Sequence, residues 1–178
     1  MQRIDHIRLM ARYNSWMNER LYAAASSLPD EALSAERNAF FGSILGTLNH
    51  LVVADRIWLG RYTFHPASYQ ALAALDTLKK PERLDQPMAA DIRELRALRQ
   101  RLDACIEALA QEIREEQLDQ LLSYRNMKGA EARKNFFALL MHLFNHQTHH
   151  RGQVTTLLSQ AGVDVGVTDL LMLIPEEL

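Results

Sequence analysis

The sequence predicts an all-α protein, a four-helix bundle, on three observations. Four stretches repeat apolar residues at helical spacing. Glycine and proline are scarce, seven and five in 178 residues, and punctuate the chain rather than pervade it. A long link at residues 62–87, with Pro66, Pro81 and Pro87 inside it, separates the second stretch from the third. A link of that length lets neighbouring helices run parallel instead of as hairpins.

The first helix is expected from about Ile4 to Leu28, with Ile7, Met10, Ala11, Trp16, Met17 and Leu21 on its apolar face and Pro29 after its end. The second runs from Ser43 to about Arg61 and is apolar on most sides, through Ile44, Leu48, Leu51, Val52, Ile57 and Trp58. The third follows Pro87 and ends near Glu115, with a stripe of Ile92, Leu95, Leu98, Leu102, Ile106 and Leu109. The fourth spans about Ala132 to Gln160, with Gly162 suited to its C-terminal cap. Tyr124, Asn126 and Gly129 predict a small β-hairpin or tight turn within 121–131. A short helix is expected near Thr168 to Leu173. The length and the absence of internal repeats fit one domain, residues 1–178.

Composition narrows the function. Hydrophobic residues make up 48%, charged residues 24%, and the formal charge is −2. A near-neutral chain whose charges alternate along helix faces is not built to neutralise phosphates, so nucleic acid is not an expected partner. The N-terminus lacks the apolar run of a signal peptide, and no stretch approaches the roughly 18 apolar residues of a membrane span. No membrane partner and a cytoplasmic location are expected. The single cysteine, Cys105, sits in an apolar stripe and reads as a buried structural thiol.

The histidines carry the chemistry. Seven occur, four of them in HLFNHQTHHRGQ at 142–153. On a helix turning about 100° per residue, His150 lies about 40° from His146 on the side of the apolar face, whereas His142 and His149 lie to the other side. His146 and His150, at i and i+4, thus present two imidazoles to one point inside the bundle. His50 stands in the middle of the apolar second helix, where a buried imidazole without a partner costs about 1–3 kcal/mol. A divalent metal shared with His146 and His150 supplies that partner. Neutral imidazole suits several transition metals, and three protein ligands leave positions open for water or substrate. A core histidine satisfied by a hydrogen bond and a surface patch that gathers stray metal are the bland alternatives for these residues.

Three segments, YNSWMNERL at 13–21, FFGSILGTLNHLVVADRIWLGR at 40–61 and HLFNHQTHHRGQ at 142–153, resemble the DinB family within the broader DinB/YfiT-like group. Order and spacing agree along essentially the whole chain. The resemblance implies a bundle with up-down-down-up connectivity, homodimers, and a metal site of His50, His146 and His150, which this sequence keeps. It implies nickel, zinc or iron without choosing among them, and, for several relatives, transfer reactions that use a low-molecular-weight thiol.

The expected function is a divalent-metal-dependent enzyme acting on a small molecule, by metal-activated thiol transfer or by metal-assisted hydrolysis. No Ser-His-Asp order, HExxH or phosphate loop suggests other chemistry, and no catalytic residue is assigned. The rival is a non-catalytic, dimerising stress-response protein in which the ion braces the fold. Asp55 and Arg151 are expected to form an ion pair or to orient a ligand. Gly152 is expected to permit close helix approach, Trp16 and Trp58 to sit in the core, and Asn14 and Asn49 to be able to reach the open cavity.

Overall fold

The computed structural model describes residues 2–176. Five α-helices, α1 (Arg3–Ala25), α2 (Asp30–Ser34), α3 (Ile44–Tyr62), α4 (Ile92–Glu112) and α5 (Phe136–Gln160), are joined by three short 3-10 segments and one hairpin of β1 (Leu121–Arg125) and β2 (Glu131–Asn135). The four long helices form the bundle, and their ends follow from local hydrogen bonding. Ser43 caps α3 by accepting from Gly46 N at 3.0 Å. Asp91 caps α4, accepting from the amides of Arg93 and Glu94 at 2.9 Å each, so the helix starts there rather than just after Pro87. The first helix stops at Ala25 rather than Leu28, because the hydroxyls of Ser26 and Ser27 donate to the carbonyls of Tyr22 and Ala24 at 2.7 Å. Past α5, Gly162 takes φ +80°, with Gly162 N on Ser159 O and Val163 N on Leu158 O, the left-handed cap expected of it.

The second strand, Glu131–Asn135, takes residues 132–135 from the stretch that periodicity assigned to the fourth helix. Asn135 then ends β2 and caps α5, accepting from Ala138 N at 2.9 Å. Within the turn, the Asn126 side chain accepts from Lys128 N and Ala130 N, and Gly129 supplies φ +79°. The expected C-terminal helix is a 3-10 turn at Leu170–Leu173.

Pairings across the bundle give the connectivity. Asn14 and Asn18 on α1 meet Asp103 on α4, and Arg8 reaches Ala110, so α1 and α4 are antiparallel. Tyr62 on α3 donates to Leu139 O on α5, while His50 meets His146, so these two are antiparallel as well. Arg3 stacks over Phe137 and Arg151 reaches Asn14, so α1 and α5 run parallel. The order is up-down-down-up. The crossover that permits it is the link from Thr63 to Asp91, held on the core by Tyr69, Leu72, Leu75 and Leu78. Trp16 and Trp58 pack half-buried against the core. Cys105 is buried, and burial pushes its thiol up to about 11, as befits a structural residue.

One polar cluster lies inside. The Arg99 guanidinium pairs with Asp55 at 2.7 Å and Asp103 at 3.0 Å, all three side chains being buried. Asp103 also accepts from Asn14 at 2.8 Å and Asn18 at 2.9 Å. Arg151 donates to Asn14 and to Gln147, and its guanidinium lies over the Tyr13 ring. The expected Asp55–Arg151 pair is therefore corrected: Asp55 takes Arg99 at 2.7 Å, while the Arg151 guanidinium is turned to Asn14 and Gln147. Asn14 belongs to this cluster and not to an open cavity.

Removing one partner of a buried ion pair strands the other. Arg99→Met should lower unfolding free energy by about 3–5 kcal/mol in denaturant titration. Arg93→Met, which breaks an exposed and solvent-screened pair with Asp91, should leave the unfolding midpoint nearly unchanged. Equal costs would show that the interior cluster is no stronger a tie than the surface pair.

Candidate metal centre

The second and fourth long helices, α3 and α5, bring three imidazoles together. His50 and His150 are buried and His146 is half-buried. One ring nitrogen of each lies within 4.8 Å of the others. The His50 and His146 Nε2 atoms are 3.2 Å apart. Nitrogens bound tetrahedrally at about 2.0–2.1 Å from one ion stand about 3.3 Å apart, so this pair already has a ligand spacing.

Surrounding acceptors set the tautomers. His50 Nδ1 lies 3.1 Å from Leu84 O. A carbonyl only accepts, so Nδ1 carries the proton and Nε2 keeps its lone pair. His150 Nδ1 lies 2.7 Å from Gln153 Oε1, which assigns it the same tautomer. Among the described residues His146 Nδ1 has no hydrogen-bond partner. A proton between His50 and His146 would serve two nitrogens at most, whereas a cation at the meeting point serves all three. The donor set therefore fits a transition-metal ion and could hold one.

Burial keeps these rings neutral. Desolvation lowers the His50 pKa to about 4, against a smaller upward pull from the Leu84 carbonyl. Desolvation and then the neighbouring imidazoles lower His146 to about 3. His150 is lowered chiefly by desolvation. Neutral imidazole is the form that binds metal.

Neighbouring segments complete the site. Asn49 faces the link: its side chain donates to Gln86 O and accepts from Met88 N, both at 2.8 Å. This clamp holds the stretch that presents Leu84 O to His50, and it is the role of Asn49 in place of a cavity contact. Phe41 stacks on His50 with ring centroids 3.8 Å apart and meets His150 edge-on at 5.6 Å. The loop bearing Phe41 lies so close to α3 that a Cβ on Gly46 would stand 2.1 Å from Phe41 O, which explains glycine there. Gly152, by contrast, faces open space, so no helix approaches it closely.

The remaining histidines lie outside the cluster. His142 is exposed and edges onto Trp58, and His149 is exposed beside Gln153. His65 is buried against Phe136 and Tyr69 in the link. The sequence reading missed Phe41, Gly46, Leu84 and Gln153. Only Gln153 left a trace, at i+3 from His150 on the same helix face.

The family model described as DinB family matches residues 1–177. The chain belongs to the DinB family. A relative named Protein DinB, from Bacillus subtilis, is 32% identical over 157 residues, covering 88% of this chain and 87% of its own. A crystal structure of a DinB-like protein from Bacillus cereus superposes with a TM-score of 0.59 at 25% identity, covering 85% of this chain and 89% of that one. Among the described residues no helix of this DinB-family chain is long and apolar enough to cross a membrane.

The lowered imidazole pKa values fix the sign of an acid response. In the unfolded chain histidine titrates near 6.5, whereas folded, metal-free protein keeps His50 and His146 neutral down to about 4 and about 3. As pH falls through that window the unfolded state takes up protons that the folded state refuses, so stability drops. Thermal melts of chelated protein between pH 7 and 4.5 should show this fall. It should be shallower in His146→Ala, and identical slopes would contradict the neutral, desolvated site.

Proposed function

We propose that this DinB-family protein is a divalent-metal-dependent enzyme acting on a small molecule, with His50, His146 and His150 as the metal ligands. The observation that carries the reading is the convergence of imidazole nitrogens from two helices, two of them 3.2 Å apart. The bound ion, nickel, zinc or iron, would supply Lewis acidity that lowers the pKa of a bound thiol or water toward neutrality. The chain's own residues prepare for this. Leu84 O and Gln153 hold His50 and His150 in the tautomer that aims Nε2 inward. Phe41 covers one face of His50 and keeps water from that ring. Three protein ligands leave coordination positions for the reactants.

No carboxylate joins the cluster among the described residues. A site without a protein base suits a nucleophile whose proton leaves once the thiol is bound, which favours transfer of a low-molecular-weight thiol over hydrolysis. The rival reading, an ion that only braces the fold, is opposed by the core. Its apolar cluster runs through α1, α3, α4 and α5 without using the three histidines.

Elemental analysis of tag-free protein should find about one divalent transition-metal ion per chain. His146→Ala should lose it, and with it thiol conjugation to 1-chloro-2,4-dinitrobenzene, by more than the roughly 10–100-fold cost of losing an outer partner of a ligand. Hydrolysis of p-nitrophenyl acetate lost in place of conjugation would select the hydrolase. Neither activity, with a large drop in melting temperature on metal removal, would leave the bracing role.

The reading also takes the protein as a cytoplasmic homodimer. Leu171, Met172 and Ile174 are 73%, 60% and 44% exposed near the C-terminal end, an apolar strip that a second copy could cover. Sedimentation velocity should give a dimer at micromolar concentration, and a monomer there refutes this part.

A further inference from the structure

A groove of about 1260 Å³ lies between the last two turns of α3, residues 80–82 of the link and the β-hairpin. None of the three clustered histidines lines it. Its walls carry five basic side chains, Arg56, Arg61, Lys80, Arg125 and Arg133, against two acidic ones, Glu82 and Glu131. The chain as a whole is formally −2, so this concentration of positive charge is local. Two of the five are already engaged. Arg125 pairs with Glu131 at 2.5 Å, and Arg56 donates to the carbonyls of Leu75 and Leu78 at 3.2–3.3 Å.

Arg61 is different. Its guanidinium lies 4.3 Å from the Trp58 ring centroid and 5.0 Å from that of Tyr124. Among the described residues it pairs with no carboxylate. Two aromatic rings thus hold a half-buried guanidinium in place while its donors lack an anion, an arrangement that loses little side-chain freedom on binding one. Beside it, Phe64 is 69% exposed and Met127 45% exposed, apolar surface with nothing over it. A cationic anchor next to bare apolar surface matches a ligand that has both characters.

We propose that this groove binds small amphipathic organic anions, with Arg61 holding the anionic headgroup and Phe64 and Met127 contacting the apolar body. The site is separate from the metal centre. Arg61 follows His50 by eleven residues, within about 20° on the same face of α3 and about 16 Å along its axis. Between them stand Trp58 and His142, with rings 4.7 Å apart. Binding in the groove therefore needs no metal.

The probe is 2-naphthoate, compared with uncharged 2-naphthalenemethanol, by calorimetry and by protein NMR at Tyr124 and Met127. The anion should bind about tenfold tighter or better, as a charge-assisted hydrogen bond allows, and that preference should shrink at 0.5 M salt. Arg61→Met should abolish the preference, and Arg133→Met, an exposed change that leaves the aromatic sandwich intact, should reduce it. His146→Ala should bind 2-naphthoate unchanged, whether or not the metal reading holds. Equal affinity for acid and alcohol, a preference that survives in both arginine variants, or naphthoate binding lost in His146→Ala would each overturn the proposal. The last outcome would mean that the carboxylate binds a metal instead.

Discussion

One buried cluster sets how the four long helices stand against each other, and with them the three histidines. Arg99 on α4 pairs with Asp55 on α3 and Asp103 on its own helix. Asp103 takes Asn14 and Asn18 of α1, and Asn14 takes Arg151 of α5. Apolar contacts tolerate sliding, because one methyl group resembles the next. An ion pair in a dry interior does not, because a displaced charge loses its partner where water cannot replace it. The cluster thus fixes the axial register of α3 and α5, the two helices that carry His50, His146 and His150. Asp55 is five residues past His50, about 140° around the helix, and Arg151 directly follows His150. The charges and the imidazoles therefore occupy different faces of the same two helices. One face sets the position that the other uses.

The long link has a second task besides permitting the crossover. Its carbonyl at Leu84 decides which nitrogen of His50 is free, and Asn49, the neighbour of His50 in sequence, holds that stretch in place. Two adjacent residues of α3 thus divide the work, one facing the cluster and one facing the link. The loop before α3 closes another side of the site, and it can lie there because Gly46 has no side chain. The imidazole cluster is assembled from two helices and trimmed by two irregular segments, each held in place by a neighbour of His50 on α3.

The fold was legible because helical periodicity survives in each long element and because the link is too long for a hairpin. The triad was legible for a geometric reason: His146 and His150 are one turn apart, and the apolar face of α5 states which way they point. What failed depends on tertiary partners. Asp55 had two buried arginines available on other helices, Arg99 and Arg151, and nothing local distinguishes them. Residues 132–135 carry a helix-compatible composition, and only pairing with β1 makes them a strand. Phe41 sits in a loop without period, so its stacking on His50 had no signal. Gly152 and Gly46 look alike in sequence, yet one faces open space and the other a backbone carbonyl.

The face of α3 that bears His50 continues toward Arg61, so the histidine cluster and the basic groove share one helix surface. Trp58 and His142 form the partition between them, and the rings run in contact from His146 through His142 and Trp58 to Tyr124. Trp58 serves both sides of that partition, packing on His142 and holding the Arg61 guanidinium. The helix register, by contrast, is held by Arg99 and its partners deep on the other side. Buried charge pairs thus hold the helices from within, and aromatic stacking holds the side chains at the surface.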